Sequence, residues 1–533
     1  MFLSLIDQAI GVTSQRTTSS ALLLTFVTMI FVGALVPEYL TTPEIPVGPD
    51  GHSQLSLELA MNRVYCGVTS GLSEFNHANG DVGRTELRQV IKDNREILEI
   101  PMRSIIPRYF GSYAGYCPAV TTSFINNENT LMFLYVGLLR ADKDISLGEM
   151  STVLFSARIV IVSLFAFAMI RIGFSPIITA IVFGAGLFTN QAATTNLAEP
   201  TAEFNFSLYP FLFCAVALFV AFCTLLISYG AHRRVGYALL WSFILGVVGA
   251  GIANLRTSYA PVVLVLFAGF VVVAAVDILR SNHAARRKVA ALSVAAFIAF
   301  MTGQASFNRY FVEPIASQNT PYNVAYHVVA HPLVLALAVP DNPLARSEGI
   351  QWDDAAGIEI ARRLDSKVNY LGPGYERALF AYYAQLWILH TSEMEDVYRK
   401  KLLLAGKYGI DFLYKSAGRL KRIILWPLRL IPNGLALLFA YGGLLVVIGV
   451  MLIRGAASDR SFLLMGMTLA ATMLHLESAI ILPYFYVNLN NSLMFWYYLL
   501  GALLYQIAGV AVVRAFKSSM RILQDHRLLK AHQ

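Results

Sequence analysis

Long uncharged apolar runs alternate along the chain with two long polar stretches. Runs of about 17–25 apolar residues are long enough to cross a bilayer as α-helices. Ten such runs cover residues 20–37, 152–172, 175–191, 204–228, 236–254, 257–279, 287–303, 433–453, 462–483 and 493–515. The pattern predicts an all-α polytopic membrane protein with about ten transmembrane helices.

Lys and Arg residues near the ends of these runs predict the orientation, because positive residues collect on the cytoplasmic face. They cluster in the loops 229–235, 280–287 and 454–461 and in the tail after residue 515. With ten spans, all four segments lie on the face that also holds the N-terminus. We therefore expect both termini to be cytoplasmic and the two long polar stretches to lie outside.

This topology divides the chain into six parts. They are an N-terminal segment with the first transmembrane helix (1–37), a first outer loop (38–151), spans two to seven (152–303), a second outer loop (304–432), spans eight to ten (433–515) and a cytoplasmic tail (516–533). Helical spacing within residues 53–68, 376–390 and 419–429 predicts short helices along the outer interface in both loops.

The composition agrees with a membrane protein, since 56% of the residues are hydrophobic and only 14% are charged. The net charge of +8 does not indicate nucleic acid, because insertion topology alone accounts for an excess of positive residues. The chain has no Walker phosphate loop, dinucleotide fingerprint or zinc-type Cys/His spacing. Cys66 and Cys117 share the first outer loop, where a disulfide and two unpaired thiols are both open readings.

The first outer loop offers a candidate general base at Asp50, which is followed by Gly51 and His52. A carboxylate held near the membrane can take the proton of a sugar hydroxyl, although Asp-Gly is also an ordinary turn sequence. Glu199 and Glu203 lie in the short outer loop before the fourth span. They are predicted to orient an acceptor or to hold a divalent cation, with a solvated loop and helix cap as the alternative.

Four cations near the outer face are candidates for holding a phosphate. Arg158 lies near the outer end of the second span, and Arg256 lies in a very short outer turn. Lys421 and Arg422 belong to the basic amphipathic stretch 419–429. Fixed cations suit a phosphate through charge-assisted hydrogen bonds. The alternatives are ion pairs and snorkelling for Arg158, and contact with anionic lipid for the basic stretch.

The second outer loop adds His331, Trp352 and Asp353 as candidate substrate-binding residues. Trp352 is of a type that stacks on the apolar face of a sugar or anchors a loop at the interface. For Asp353 the favoured interpretation is the N-cap of a helix over residues 354–364. No ligand spacing in the chain is specific enough to name a metal.

The whole pattern resembles the GT-C superfamily of membrane glycosyltransferases. The shared features are a first span, a large outer loop carrying Asp50, a short acid-bearing outer loop with Glu199 and Glu203, many further spans and a late outer domain. The segment from His331 to Tyr383 is also similar to a stretch in bacterial membrane proteins of surface-polysaccharide loci. In the family the first loop often carries paired acids, whereas here Asp50 precedes Gly and His, so the use of Mg or Mn stays open.

The resemblance implies an inverting transfer of sugar from a polyprenyl-phosphate donor, with Asp50 as the base. The acceptor would be an envelope glycan, lipid or protein on the periplasmic face of a bacterial inner membrane. Two alternatives remain. An O-antigen polymerase or ligase would use lipid-diphosphate glycans and would need arginines rather than a carboxylate. A lipid-linked-sugar flippase or transporter would need ionisable groups deep in the spans.

Overall fold

The computed structural model describes residues 18–35, 147–184, 216, 219–220, 235–255, 261–269, 284–307, 309, 329–369, 374–416, 419–453, 459–483 and 491–531. Among these residues the chain forms helices joined by turns, with no β-strand. The all-α class predicted from the sequence is confirmed for this part of the chain. Cys66, Cys117 and almost all of the first predicted outer loop lie outside the described residues.

The helices are numbered here in chain order. They are α1 (Thr18–Leu35), α2 (Leu147–Arg171), α3 (Val235–Leu255), α4 (Ala284–Phe307), α5 (Ala330–Leu335), α6 (Pro343–Glu348), α7 (Asp354–Leu364), α8 (Tyr375–Leu389), α9 (Thr391–Ser416), α10 (Arg419–Arg429), α11 (Gly434–Ile453), α12 (Asp459–Ile480) and α13 (Asn491–Ala531). Residues 176–184 and 261–269 are also helical.

Two segments of the described chain are long and apolar enough to cross a membrane: Gly434–Met451 in α11 and Arg460–Ile480 in α12. Shorter apolar stretches lie in α1 to α4, at Ser19–Ile30, Ile159–Arg171, Leu239–Ala253 and Val294–Ser306. The helices α1 to α4 and α11 to α13 fall on predicted spans. The count of ten spans stays a prediction, and residues 204–228 are described only at positions 216, 219 and 220.

Helices α3 and α4 pack through small residues. A Cβ atom added at Gly246 would overlap the backbone oxygen of Ala296, and one added at Gly303 would lie 2.8 Å from the Cβ of Ala250. Glycine therefore lets the two backbones approach closely, in the way that membrane helices pack.

Helices α5 to α8 and the start of α9 enclose a separate apolar core. Ile360 of α7 and Leu379 and Leu386 of α8 are among its buried residues. Local capping defines the helix ends. Asn342 accepts a hydrogen bond from the Ala345 N–H at 2.9 Å and so begins α6. Gly349 ends α6 with a positive φ of 67°, a conformation that glycine adopts without strain.

One side of the aromatic helix α8 packs into this core. Tyr375, Leu379, Tyr382 and Leu386 are buried, and they recur at intervals of three or four residues. This spacing places them along one side of a helix. The predicted helical pattern over residues 376–390 is therefore confirmed, and its apolar side faces a protein core.

Helices α9 to α13 form an antiparallel bundle. The Lys401 ammonium of α9 donates to the Ile480 carbonyl at the end of α12, at 3.1 Å. Gly434 at the start of α11 lies against the Leu402 backbone oxygen, and Gly501 of α13 lies against that of Ile424 in α10. Because a Cβ atom would collide at both positions, glycine permits both close contacts.

Candidate functional site

A group of charged side chains lies where α9 and α10 pair. Lys407, Asp411, Tyr414 and Lys415 follow one another on α9 at intervals that place them near one face of the helix. Arg422 and Arg429 lie two turns apart on α10 and face them. Hydrogen bonds and ion pairs then join the two helices at both ends of α10.

Arg422 closes the C-terminal end of α9. Its Nε donates to the Tyr414 carbonyl at 3.1 Å, and its Nη2 donates to the Lys415 carbonyl at 3.0 Å. The last carbonyls of a helix have no partner within the helix and carry partial negative charge. The guanidinium therefore satisfies two of these carbonyls and fixes the start of α10 against the end of α9.

Asp411 holds the other end of the pairing. Its Oδ1 lies 3.5 Å from both the Lys407 Nζ and the Arg429 Nε. Lys407 also donates to the Arg429 carbonyl at 3.0 Å. The Asp411 Oδ1 is buried and accepts no hydrogen bond from the described residues, so it acts through charge on the two cations.

Tyr414 orients the guanidinium groups by its ring. The Arg429 Cζ lies 4.3 Å from the ring centroid, and the Arg422 Cζ lies 5.9 Å from it. A cation over an aromatic face is attracted by the ring quadrupole. The ring therefore attracts both guanidinium groups.

These residues line a cavity of about 290 Å³, formed by Asp411, Tyr414, Lys415, Arg422 and Arg429. Three cations and one carboxylate line it, so the lining groups carry two net positive charges. Ligand pockets commonly measure about 300–1,000 Å³. The volume and the positive charge together suit a small anionic group such as a phosphate.

Asp50, His52, Glu199, Glu203 and Arg256 lie outside the described residues. Arg158 lies within α2, and Lys421 lies within α10. Of the candidates from the sequence, Arg422 is the one whose described side chain lines the cavity.

His331 lies in the core of the α5–α8 cluster, with 3% of its surface exposed. Its Nδ1 is 2.6 Å from the Tyr375 hydroxyl. The Glu376 carboxylate accepts hydrogen bonds from the backbone N–H groups of Ala330 and His331, at 2.7 and 3.4 Å. Desolvation raises the pKa of the Glu376 carboxyl, and these backbone hydrogen bonds oppose that effect. The structure thus places the His331 imidazole in the core at the start of α5.

Trp352 and Asp353 lie at the edge of the same cluster. Trp352 is half-buried and packs against the core. Asp353 is exposed, and its Oδ1 accepts a hydrogen bond from the Ala355 N–H at 3.3 Å, which makes it the N-cap of α7. The helix that it caps covers residues 354–364, so the capping interpretation is confirmed. Within the described ranges no three His, Cys, Asp or Glu side chains are grouped to hold a metal ion.

Sequence reasoning missed Asp411, Tyr414, Lys415 and Arg429. The available signal was the helical spacing of polar residues on α9, together with the seven-residue interval between Arg422 and Arg429 on α10. That spacing identifies two polar faces. It does not show that they face each other.

No family model, no curated protein and no solved structure matches the chain.

Proposed function

We propose that the chain is a membrane glycosyltransferase of the GT-C type. In this proposal it moves a sugar from a polyprenyl-phosphate donor to an envelope glycan, lipid or protein acceptor, with inversion at the anomeric carbon. The observation that carries the proposal is the cationic cavity between α9 and α10, which lies beside helices of membrane-spanning length. A lipid-linked phosphate has a negative charge that suits the cationic cavity and a lipid tail that suits the neighbouring apolar helices.

The chemistry requires positive charge where the phosphate leaves. The bond between the anomeric carbon and the phosphate oxygen breaks, and a bond to the acceptor oxygen forms. The polyprenyl phosphate departs with the electron pair, and cations stabilise it without donating a proton. Lys415, Arg422 and Arg429 are assigned this role, and Arg158, Arg256 and Lys421 are proposed to add to it.

The acceptor side is assigned to the first outer loop. Asp50 takes the proton of the acceptor hydroxyl as the new bond forms. His52, Glu199 and Glu203 are proposed to orient the acceptor, with Trp352 as a stacking platform. If a Mg or Mn ion takes part, Glu199 and Glu203 are the oxygen ligands proposed for it.

The proposed location is a bacterial inner membrane, with ten spans, cytoplasmic termini and the site on the periplasmic face. Four clusters of Lys and Arg on one face support this topology. Exposed apolar side chains along the described helices support a lipid environment, among them Phe26 of α1, Phe243 of α3 and Phe439 of α11.

One observation also favours an O-antigen polymerase or ligase. The cavity lining holds three cations and a single carboxylate, and that carboxylate is already paired with Lys407 and Arg429. A lipid diphosphate carries more negative charge than a monophosphate and would match such a site. Arginines would then be essential and Asp50 dispensable.

Transfer of labelled sugar from polyprenyl-phosphate donors separates the two functions. Membranes would carry wild type, Asp50→Asn or Arg429→Gln, with Arg346→Gln as the matched control. Arg346 forms an exposed ion pair with Asp341 at 2.9 Å. Loss of such a surface pair changes stability little. If the chain is a glycosyltransferase, wild type and the control should transfer sugar, and the other two variants should lose this transfer.

Other results redirect the proposal. Transfer that survives in Asp50→Asn but not in Arg429→Gln keeps the phosphate site and moves the base elsewhere. Transfer only from lipid diphosphates identifies a polymerase or ligase. Absence of transfer from either donor class in correctly inserted wild type rejects both enzymes.

A further inference from the structure

The α9–α10 pair runs along the bundle. Helix α9 is antiparallel to α12, since Lys401 contacts Ile480 while Gly406, five residues later, contacts His475, five residues earlier. Helix α10 is antiparallel to α9, because the Lys407 Nζ bonds the Arg429 carbonyl and the Arg422 guanidinium bonds the Lys415 carbonyl. Helix α10 therefore runs in the same direction as α12. The sequence pattern alone had predicted a helix in the plane of the interface.

The position of the hairpin turn follows from helix geometry. Lys415 lies fourteen residues beyond Lys401, so at 1.5 Å per residue it is about 21 Å past the level of Ile480. A second contact places α10 beside the interior of α13. The Tyr505 hydroxyl donates to the Ile423 carbonyl at 2.8 Å, and Tyr505 lies fourteen residues, again about 21 Å, from the first residue of α13 at Asn491. The end of α9 and the start of α10 thus lie well inside the length of the helices that they pack against.

Helix α10 presents apolar side chains in two directions. Leu425 and Leu428 are fully buried against the bundle. Ile423 and Trp426 are 52% and 51% exposed, and their spacing places them on the opposite side. Leu430, directly after the end of α10, is 67% exposed. This outer surface adjoins the half-exposed Tyr505 of α13. It is therefore continuous with the surface of a helix predicted to span the membrane.

We infer that residues 407–429 form a re-entrant hairpin, and that the surface formed by Ile423, Trp426 and Leu430 lies against lipid acyl chains. The inference rests on α11 and α12 crossing the membrane and goes beyond the transferase chemistry. Lipid is the occupant that fits the depth of the turn and the continuity with α13. Water would leave three large apolar side chains exposed.

The described arginines of the hairpin have partners within the protein. Re-entrant backbone is tolerated in membranes where protein satisfies its polar groups. Arg422 is bonded to two carbonyls, and Arg429 is paired with Asp411 and stacked on Tyr414. Lys415 lines the cavity together with these two arginines.

Tryptophan fluorescence in bilayers tests the inference without substrate or transfer. The full chain would be placed in vesicles of phosphatidylcholine brominated at defined acyl positions, and wild type would be compared with Trp426→Phe. The matched control is Trp387→Phe, which removes a tryptophan of the α5–α8 cluster. Its ring stacks on that of Tyr398 in α9, at a centroid distance of 5.8 Å. Each variant changes one aromatic ring into another, and circular dichroism would verify the helical content.

The expected result is that bromolipid-quenched emission falls in Trp426→Phe and not in Trp387→Phe, and that aqueous iodide does not quench the Trp426 contribution. Iodide quenching of that contribution without bromolipid quenching would place α10 in water and overturn the inference. Quenching by neither agent would indicate that protein, such as a second copy of the chain, covers the surface, and would also overturn it. Because no donor is present, failure of the glycosyltransferase proposal leaves this result unaffected.

Discussion

Gly406 of α9 and His475 of α12 are in such close contact that a side chain at position 406 would overlap the imidazole ring. His475 is fully buried, and its ring meets that of Tyr441 edge to face at 6.0 Å. The absence of a side chain at Gly406 thus lets α9 pack against α11 and α12 at once. The hairpin with the cationic cavity begins directly after this contact.

Replacing Gly406 by Ala should destabilise the bundle. The added Cβ would overlap the His475 ring and lie 2.7 Å from the Leu437 Cδ2. Overpacking a tight interface costs about 1–3 kcal/mol. Thermal unfolding of the detergent-solubilised protein would measure the loss. Gly442→Ala on α11 is the matched control, because nothing lies within 4 Å of a Cβ atom there. It should be neutral or stabilising by up to about 1 kcal/mol. Equal stability of the two variants would contradict the contact.

Replacing Tyr414 by Leu should weaken anion binding at the cavity. Leu removes the aromatic face that holds the Arg429 guanidinium at 4.3 Å. A cation–π contact is worth about 0.5–2 kcal/mol, which corresponds to about 2- to 30-fold in affinity. Titration of the purified protein with a short-chain isoprenyl phosphate would measure the change. Tyr414→Phe keeps the ring and should bind like wild type. A Phe variant as weak as the Leu variant would assign the effect to the hydroxyl.

The parts of this structure that depend on neighbouring residues could be predicted from the sequence. Asp353 followed by a helical pattern gave the helix over residues 354–364, because an N-cap acts on the first turn that follows it. The basic amphipathic spacing gave Arg419–Arg429 as one helix. In both cases the deciding interactions span only a few residues.

The parts that depend on distant residues could not be predicted. The surroundings of His331 are one example, because its partner Tyr375 is 44 positions away and their contact buries the imidazole. The cavity requires α9 and α10 to pair in one register, and α10 in turn packs on Gly501 and Tyr505 of α13. Periodicity shows that a helix has a polar face but does not show which element that face meets.

Replacing Lys401 by Met should change how stability depends on pH. Burial lowers the pKa of the Lys401 ammonium from 10.5 to about 7. Between these values the unfolded chain holds a proton that the folded chain has lost, so stability rises with pH. Below about pH 7 the buried ammonium is charged in both states, and the folded state bears the full cost of burying it.

The measurement is the unfolding midpoint of wild type and Lys401→Met between pH 6 and pH 10. The variant should be the more stable at pH 6, and its midpoint should rise less with pH than that of wild type. A matched control is Lys400→Met, one residue earlier, where the ammonium is 43% exposed and paired with Asp396. If wild type and Lys401→Met show the same pH dependence, the ammonium retains its charge through the contacts with the Ile480 carbonyl and the Tyr398 ring.

The Glu376 carboxylate should support α5 through its hydrogen bonds rather than through its charge. Desolvation raises its pKa above 4.5, so the folded state holds the proton more tightly than the unfolded chain does. The resulting stability is fully present below about pH 4.5 and is lost as pH rises through the raised pKa.

At pH 7, Glu376→Gln should therefore be at least as stable as wild type, because its amide oxygen keeps an acceptor for the Ala330 N–H and carries no charge. Glu376→Ala leaves the N–H groups of Ala330 and His331 without this acceptor and should lose about 1–3 kcal/mol. Urea unfolding at pH 5 and pH 7 would measure both variants. A Gln variant as unstable as the Ala variant would mean that the negative charge at the start of α5 is itself stabilising, and that the desolvation of Glu376 is the smaller effect.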